Sequence, residues 1–224
     1  MIVAGKQQHA VRPVGIQGRR RLLDKNANSV NAPGLTRRSL LILMPISTYR
    51  GLRPQLADRV YVDPSAVVIG RVTVGEDSSI WPTAVVRGDV NEIRIGARTS
   101  IQDGSVLHVT HDGPYAPGGR ALVVGSDVTI GHRVVLHACT IGNACLVGMG
   151  TLVLDNVVTE DFVMIGAGSV VTPGKLLLSR GLYVGSPARR VRELDEKEVE
   201  FLTYSAAHYV KVKDEYLKSL NGRD

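Results

Sequence analysis

The 224-residue sequence predicts a mainly β fold, a left-handed parallel β-helix of hexapeptide repeats with a C-terminal α-helix packed along it. Three observations predict it. First, an aliphatic residue followed by glycine returns on a six-residue grid, as in Ile69-Gly70, Val124-Gly125, Ile130-Gly131, Ile141-Gly142, Val147-Gly148 and Ile165-Gly166. Hexads of this kind specify a solenoid in which each hexad forms one face of a triangular coil. Second, apolar content is 44% while aromatic content is only 4%. A narrow solenoid interior takes small, stiff aliphatics in stacked ladders rather than rings. Third, the period changes from six to a helical one after Asp195.

The inward aliphatic of each hexad serves as a ruler. The coils read Leu56/Val62/Val68, Val74/Ile80/Val86, Ile95/Ile101/Leu107, Val124/Ile130/Leu136, Ile141/Val147/Val153 and Thr159/Ile165/Val171. The register slips three times: three residues are inserted after Val86, one is missing before Ile141, and a long excursion follows Leu107. Asp112-Gly113-Pro114 and Pro117-Gly118-Gly119 are turn chemistry, so Thr110 to Ala121 reads as a loop leaving a corner.

The ruler assigns the histidines to faces. His108 follows Leu107 and His137 follows Leu136, so both sit one step past the third inward residue of consecutive coils. Stacked coils lie roughly 4.8 Å apart, close enough for two imidazoles to share one ion. His132 is two steps past Ile130 and belongs to the neighbouring face. A third ligand to the same ion then has to be the His132 of another copy. Three such shared interfaces close a cyclic homotrimer. Three neutral imidazoles without cysteine suit a catalytic Zn2+ that keeps an open position for water, with Fe2+ or Co2+ as alternatives. Read singly, each histidine is more simply a surface or packing residue.

Arg87-Gly88-Asp89, Gln102-Asp103 with His108 following, and Ile130-Gly131-His132 with His137 resemble the gamma-class carbonic anhydrases and their bacterial carbonic anhydrase-like relatives. The resemblance runs from about Tyr49 to Leu217. It implies that His108, His132 and His137 are metal ligands and that Gln102 orients the bound water or bicarbonate. It further implies that Arg87 and Asp89 bridge subunits, with Asp103 as a supporting interface residue. On the ruler alone, Asp103 lies directly below His132 and offers its imidazole a carboxylate. An intersubunit ion pair with Arg87 and a solvated surface position are the other readings of Asp103. The chain departs from the family at Val90 and His111, where well-characterised members carry glutamates that serve proton transfer. His111 is either a substitute shuttle, with its near-neutral pKa, or a loop residue without a role.

The implied function is zinc-dependent reversible hydration of CO2 to bicarbonate at a site shared between subunits of a trimer. The competing classes are a hexapeptide-repeat acyltransferase, which needs one histidine as base, and a metal-binding structural or assembly protein without turnover. The fold alone does not separate them.

Cys139 and Cys145 are one hexad apart and therefore on different faces, too far for a disulfide. They read as core residues in a reducing, cytoplasmic setting. Trp81, stacked beneath Gln102, is expected to anchor the trimer contact rather than to cover its own coil. Tyr183 to Ala188 reads as an exit turn. Asp195 and Glu198 form a capping-box signature, and Val199, Leu202, Ala206, Tyr209, Tyr216 and Leu220 form the packed stripe of the helix. The Lys and Glu on the other face of that helix are expected to face solvent, and Tyr204 and His208 to pack rather than to reach a neighbour's metal site. These signals divide the chain into an N-terminal extension (1–43), a β-helix (44–191) and a helix (192–220).

Residues 1–43 carry eight Lys/Arg and one Asp, hence +7, which leaves −1 of the chain's +6 for residues 44–224. The basic balance thus belongs to the extension, and a nucleic-acid partner loses its main support. Lacking hexads and any sustained amphipathic period, the extension is expected to be disordered. The simplest account is that translation starts at Met44. An Arg-rich targeting segment is the competitor, although its apolar run, Leu40 to Leu43, is too short for a secretory signal. No stretch is long enough to cross a membrane as a helix.

Overall fold

Strand pairing in the computed structural model follows the hexad ruler coil by coil. The structure describes residues 45–220 and 222; the expectations for residues 1–43 lie outside them. On the first face Leu56 pairs with Val74, Val74 with Ile95, Ile95 with Val124 and Val124 with Ile141. On the second, Val62, Ile80, Ile101, Ile130, Val147 and Ile165 stack in order. On the third, Val68, Val86, Leu107, Leu136, Val153 and Val171 do the same. The result is a left-handed parallel β-helix of about eight turns. From Val68 onward these inward residues are essentially inaccessible, because each aliphatic meets its counterparts one coil above and below. Such a ladder removes apolar surface from water without needing rings.

The corners have a common device. The third residue after an inward aliphatic adopts a left-handed backbone: Asp77, Thr83, Arg98, Asp127, Arg133 and Asn156 do so, with φ between 53° and 60°. Gly104, Gly150, Gly168 and Gly174 take the same place elsewhere. A non-glycine residue there costs about 1–2 kcal/mol, a strain that the stacked hydrogen bonds of every coil must outweigh.

The three register slips each leave a local structure. The insertion after Val86 becomes a bulge inside the long strand Val85–Ile95: Gly70 pairs with Gly88, but Val72 pairs with Ile93. A Cβ on Gly88 would lie 2.5 Å from the carbonyl oxygen of Arg71, so only glycine lets the coils close there. The excursion after Leu107 is a small antiparallel hairpin, with Thr110 bridged to Arg120 and Gly113 to Ala116. Its turn is capped by Asp112, whose Oδ1 accepts from the Gly118 N–H at 2.7 Å. The missing residue before Ile141 gives a shortened corner with Ala138 left-handed.

After the last coil, Gly181–Gly185 and Ala188–Glu193 form an antiparallel hairpin, so the chain stays in β-structure beyond the expected exit turn. The helix is Glu196–Leu220. The Glu198 N–H donates to Asp195 Oδ1 at 2.9 Å and the Asp195 N–H to Glu198 Oε2 at 3.0 Å, the reciprocal capping box. Leu202 and Ala206 are buried against the second face.

Three expectations for this helix are corrected. Trp81 is not an intersubunit anchor, because the chain's own helix covers it. Its ring meets Tyr216 edge-on at 5.1 Å, Tyr209 at 6.1 Å and Tyr61 at 5.3 Å, and its Nε1–H donates to Ser100 Oγ. Lys213, which the sequence reading leaves unassigned, does not face solvent. It falls on the packed stripe between Tyr209 and Tyr216, is fully buried, and donates to Asp77 and Asp214. Conversely Leu220, Tyr204 and His208 are exposed, Tyr204 and His208 stacking on each other beside Phe201 and Tyr209. Both cysteines are buried and free, and burial pushes their thiols up, that of Cys145 to about 11. No helix among the described residues is long and apolar enough to cross a membrane.

Candidate metal centre

The strands Val106–His108 and Val135–His137 are parallel neighbours, pairing Leu107 with Leu136 and His108 with His137. Leu107 and Leu136 are fully buried, so strand alternation sends both imidazoles outward from the third face. His108 Nδ1 then lies 3.2 Å from His137 Nε2.

Carboxylates hold the two outer nitrogens. His108 Nε2 lies 3.1 Å from Asp89 Oδ1, and His137 Nδ1 lies 2.6 Å from Asp155 Oδ1. Burial opposes ionisation of both acids, yet hydrogen bonds from Arg87 and His108 keep the Asp89 carboxyl low, and bonds from Thr110 and His137 do so for Asp155. Burial, foremost, also lowers the His108 pKa, which favours the neutral ring. Carboxylates accept only, so each outer nitrogen is the N–H donor. That assignment leaves two lone pairs facing each other across 3.2 Å. Lone pairs that close repel unless a cation or a shared proton lies between them.

His132 stands on the adjoining second face. Its Nδ1 donates to Asp103 Oδ2 at 2.9 Å, leaving Nε2 without this brace on a half-exposed side chain. This contact is the imidazole-brace reading of Asp103; within the chain Arg87 pairs with Asp89 at 2.5 Å. Among the described residues of one chain, no three His, Cys, Asp or Glu side chains converge to hold an ion together. Gln102 is 4% exposed and lines a groove of about 360 Å³ with His132, Thr129, Met149, Ser205 and Tyr209. His111 is exposed on the hairpin, where it lines a smaller pocket with Thr110, Arg120 and Asp155. Val90 is exposed beside the bulge.

Asp155 escapes the sequence reading, although a signal exists. It lies 18 residues after His137, one step beyond a coil that the deletion shortens to 17, and two steps past the inward Val153. Asp103 stands two steps past Ile101 in the same way.

No protein-family model matches the chain. It is 56% identical over 173 residues to Protein YrdA of Escherichia coli, covering 77% of this chain and 94% of that one. It is 38% identical over 175 residues to a carbonic anhydrase of Geobacillus kaustophilus, 78% of this chain and 92% of the relative. The mitochondrial gamma carbonic anhydrase 2 of Arabidopsis thaliana is 40% identical over 161 residues, 71% of this chain and 57% of its own length. The chain belongs to the gamma carbonic anhydrase-like family of hexapeptide-repeat proteins. A solved structure, the hexapeptide transferase family protein of Anaplasma phagocytophilum, superposes with a TM-score of 0.71 at 39% identity, over 76% of this chain and 97% of that one. Relatives are thus named carbonic anhydrases, and the scaffold is shared with a protein named as a transferase.

Proposed function

We propose that the protein hydrates CO2 reversibly at a zinc site shared between the subunits of a homotrimer. The observation that carries this is the approach of His108 Nδ1 to His137 Nε2, 3.2 Å apart, with a carboxylate on each outer nitrogen. Two imidazoles on a tetrahedral zinc, at Zn–N of about 2.0–2.1 Å, set their ligating nitrogens roughly 3.3–3.4 Å apart, so the spacing fits. The partner subunit's His132 completes the set, since the Asp103 brace on Nδ1 leaves Nε2 as the ligating nitrogen.

The third face also suits an interface. Around Arg87, His108 and His137 runs an outward aliphatic ladder, Val67, Val85, Val106, Val135, Leu152 and Val170, in continuous register. Val106 and Leu152 are 39% and 37% exposed in the single chain. A contiguous apolar face of this kind marks a contact surface.

A divalent ion held by three neutral imidazoles supplies an acidified water as nucleophile. The chain's own residues do the rest. Asp89, Asp103 and Asp155 fix the tautomers of the three histidines. Gln102, buried beside His132, orients the oxygen of CO2 or bicarbonate. Arg87 holds Asp89 in place and presents positive charge toward the bicarbonate anion. His111, exposed to solvent, passes the released proton to buffer. A transferase reading uses one histidine as base and leaves the paired arrangement of His108 and His137 without purpose.

The test joins metal analysis, light scattering and stopped-flow CO2 hydration on the purified protein. The expected result is a trimer with about one divalent ion per chain, lost in His108→Ala, His132→Ala and His137→Ala. A fully metallated trimer with no hydration above background would overturn the enzyme reading and favour an assembly role. Full occupancy in any one histidine mutant would remove that residue from the ligand set.

A further inference from the structure

We propose that Asp155 is a positioning residue for His137, locked in place by Thr110, so that the root of the Thr110–Arg120 hairpin helps set metal affinity. This rests on the metal reading above. The geometry is specific. Asp155 Oδ1 takes the His137 Nδ1–H at 2.6 Å, while Oδ2 takes the Thr110 hydroxyl at 2.5 Å. With both oxygens engaged from different directions, the carboxyl plane cannot rotate without breaking one bond.

The backbone on either side is equally held. The Leu154 N–H donates to Val171 O at 3.1 Å and the Asn156 N–H to Ala138 O at 2.9 Å, tying the corner to the coils above and below. Thr110 is fixed in turn, its N–H and C=O paired with Arg120 at 3.0 and 2.9 Å. Asn91 of the bulge adds a bond to the same carbonyl. The hairpin that interrupts the repeat is thus bolted, through one hydroxyl and one carboxylate, to a ligand histidine.

Asp155 differs from the other two braces. Asp89 shares its charge with Arg87, and Asp103 is half-exposed to water. Asp155 is 31% exposed, and the groups bonded to it are a neutral hydroxyl and the imidazole. Arg120 shares the pocket with it, yet the carboxylate is bonded directly to the ring N–H, where it raises the basicity of the metal-binding nitrogen.

The test measures zinc affinity by competition with a chromophoric chelator on the full-length protein and on Asp155→Ala, Asp155→Asn, Thr110→Val and Thr110→Ser. Asp155→Ala should bind zinc about 10–100-fold more weakly, the range for losing an outer-shell partner. Asp155→Asn should lose less, because its carboxamide oxygen still accepts. Thr110→Val should weaken binding several-fold, and Thr110→Ser should restore it. The visible spectrum of the cobalt-loaded protein supplies a readout that a purely structural role would not move: Asp155→Ala should shift its bands while the metal-free melting curve stays near wild type. Should Asp155→Ala fail to fold, Asp155→Asn and Thr110→Val carry the same comparison. Wild-type affinity and an unshifted cobalt spectrum in these variants, with wild type binding stoichiometric zinc, would overturn this inference alone. A wild-type protein that binds no metal would overturn the metal reading and this inference with it.

Discussion

Replacing Asp77 with asparagine should cost the fold about 2–3 kcal/mol, and the reason lies in Lys213. Its side chain is fully buried under the helix, and its ammonium donates to Asp77 at 2.7 Å and Asp214 at 2.6 Å. Removing one partner from a buried ion pair typically costs about 3–5 kcal/mol, because the remaining charge stays desolvated. Asp214 survives the substitution but is 44% exposed and shares its charge with water, so the loss falls below that range. Lys213→Met is the counter-experiment. It removes the buried charge itself, and Arg59 still satisfies Asp77 with bonds of 2.9 and 2.5 Å. That variant should lie within about 1 kcal/mol of wild type or be more stable. Acid gives a second reading. Hydrogen bonding from Arg59, foremost, and from Lys213 lowers the Asp77 carboxyl to about 2 against the opposing effect of burial. Its unfolded value is near 3.9, so this contribution is complete above about pH 4 and is lost as pH falls toward 2. Urea denaturation followed by far-UV circular dichroism, repeated between about pH 2 and pH 7, measures both effects. The reasoning is refuted if Lys213→Met is the more damaging change, or if Asp77→Asn keeps the wild-type acid limb.

Three further outcomes follow from the geometry. Gln102→Ala should raise the hydration barrier by about 2–4 kcal/mol in stopped-flow assays while metal content stays normal, by analogy with losing one preorganised donor. His111→Ala should slow turnover in poorly buffered solution and recover on adding imidazole; a rate insensitive to imidazole would remove His111 from the proton path. Trp81→Ala should destabilise the chain by about 3–5 kcal/mol through the cavity left among Tyr61, Tyr209 and Tyr216, and chemical denaturation would show a loss near zero if the ring were not packed there.

What the sequence discloses follows from the strictness of the repeat. An inward aliphatic every six residues leaves one stacking solution, so His108 and His137 could be set on one face, and His132 above Asp103, before any coordinates. The corners and the closure of the site are less legible. Asp155 carries an unremarkable Leu-Asp-Asn context, and its pairing with His137 needs the full-coil spacing to be followed past the shortened corner at Ala138. Thr110 reaches Asp155 only because the excursion folds as a hairpin with its root at Arg120. The helix hid more. Its stripe is readable, but which coil face it docks on is not, so Trp81 looked free for a partner when its own helix covers it. Lys213 is not legible for a chemical reason: a lysine on an apolar stripe is normally excluded, and here two aspartates offset the desolvation.

Mixed trimers test the central claim, a site completed by two chains, most directly. His132→Ala keeps His108 and His137, and His137→Ala keeps His132, so neither homotrimer holds a complete ligand set. Coexpressed in equal amounts and mixed at random, they should bring an intact pair from one chain against an intact His132 from the next at about one quarter of the interfaces. Metal content and CO2 hydration should both return to about one quarter of wild type in the purified mixture. Mixed trimers, verified by a different affinity tag on each chain, that bind no metal would contradict the shared site, as would either single mutant holding its full complement of metal on its own.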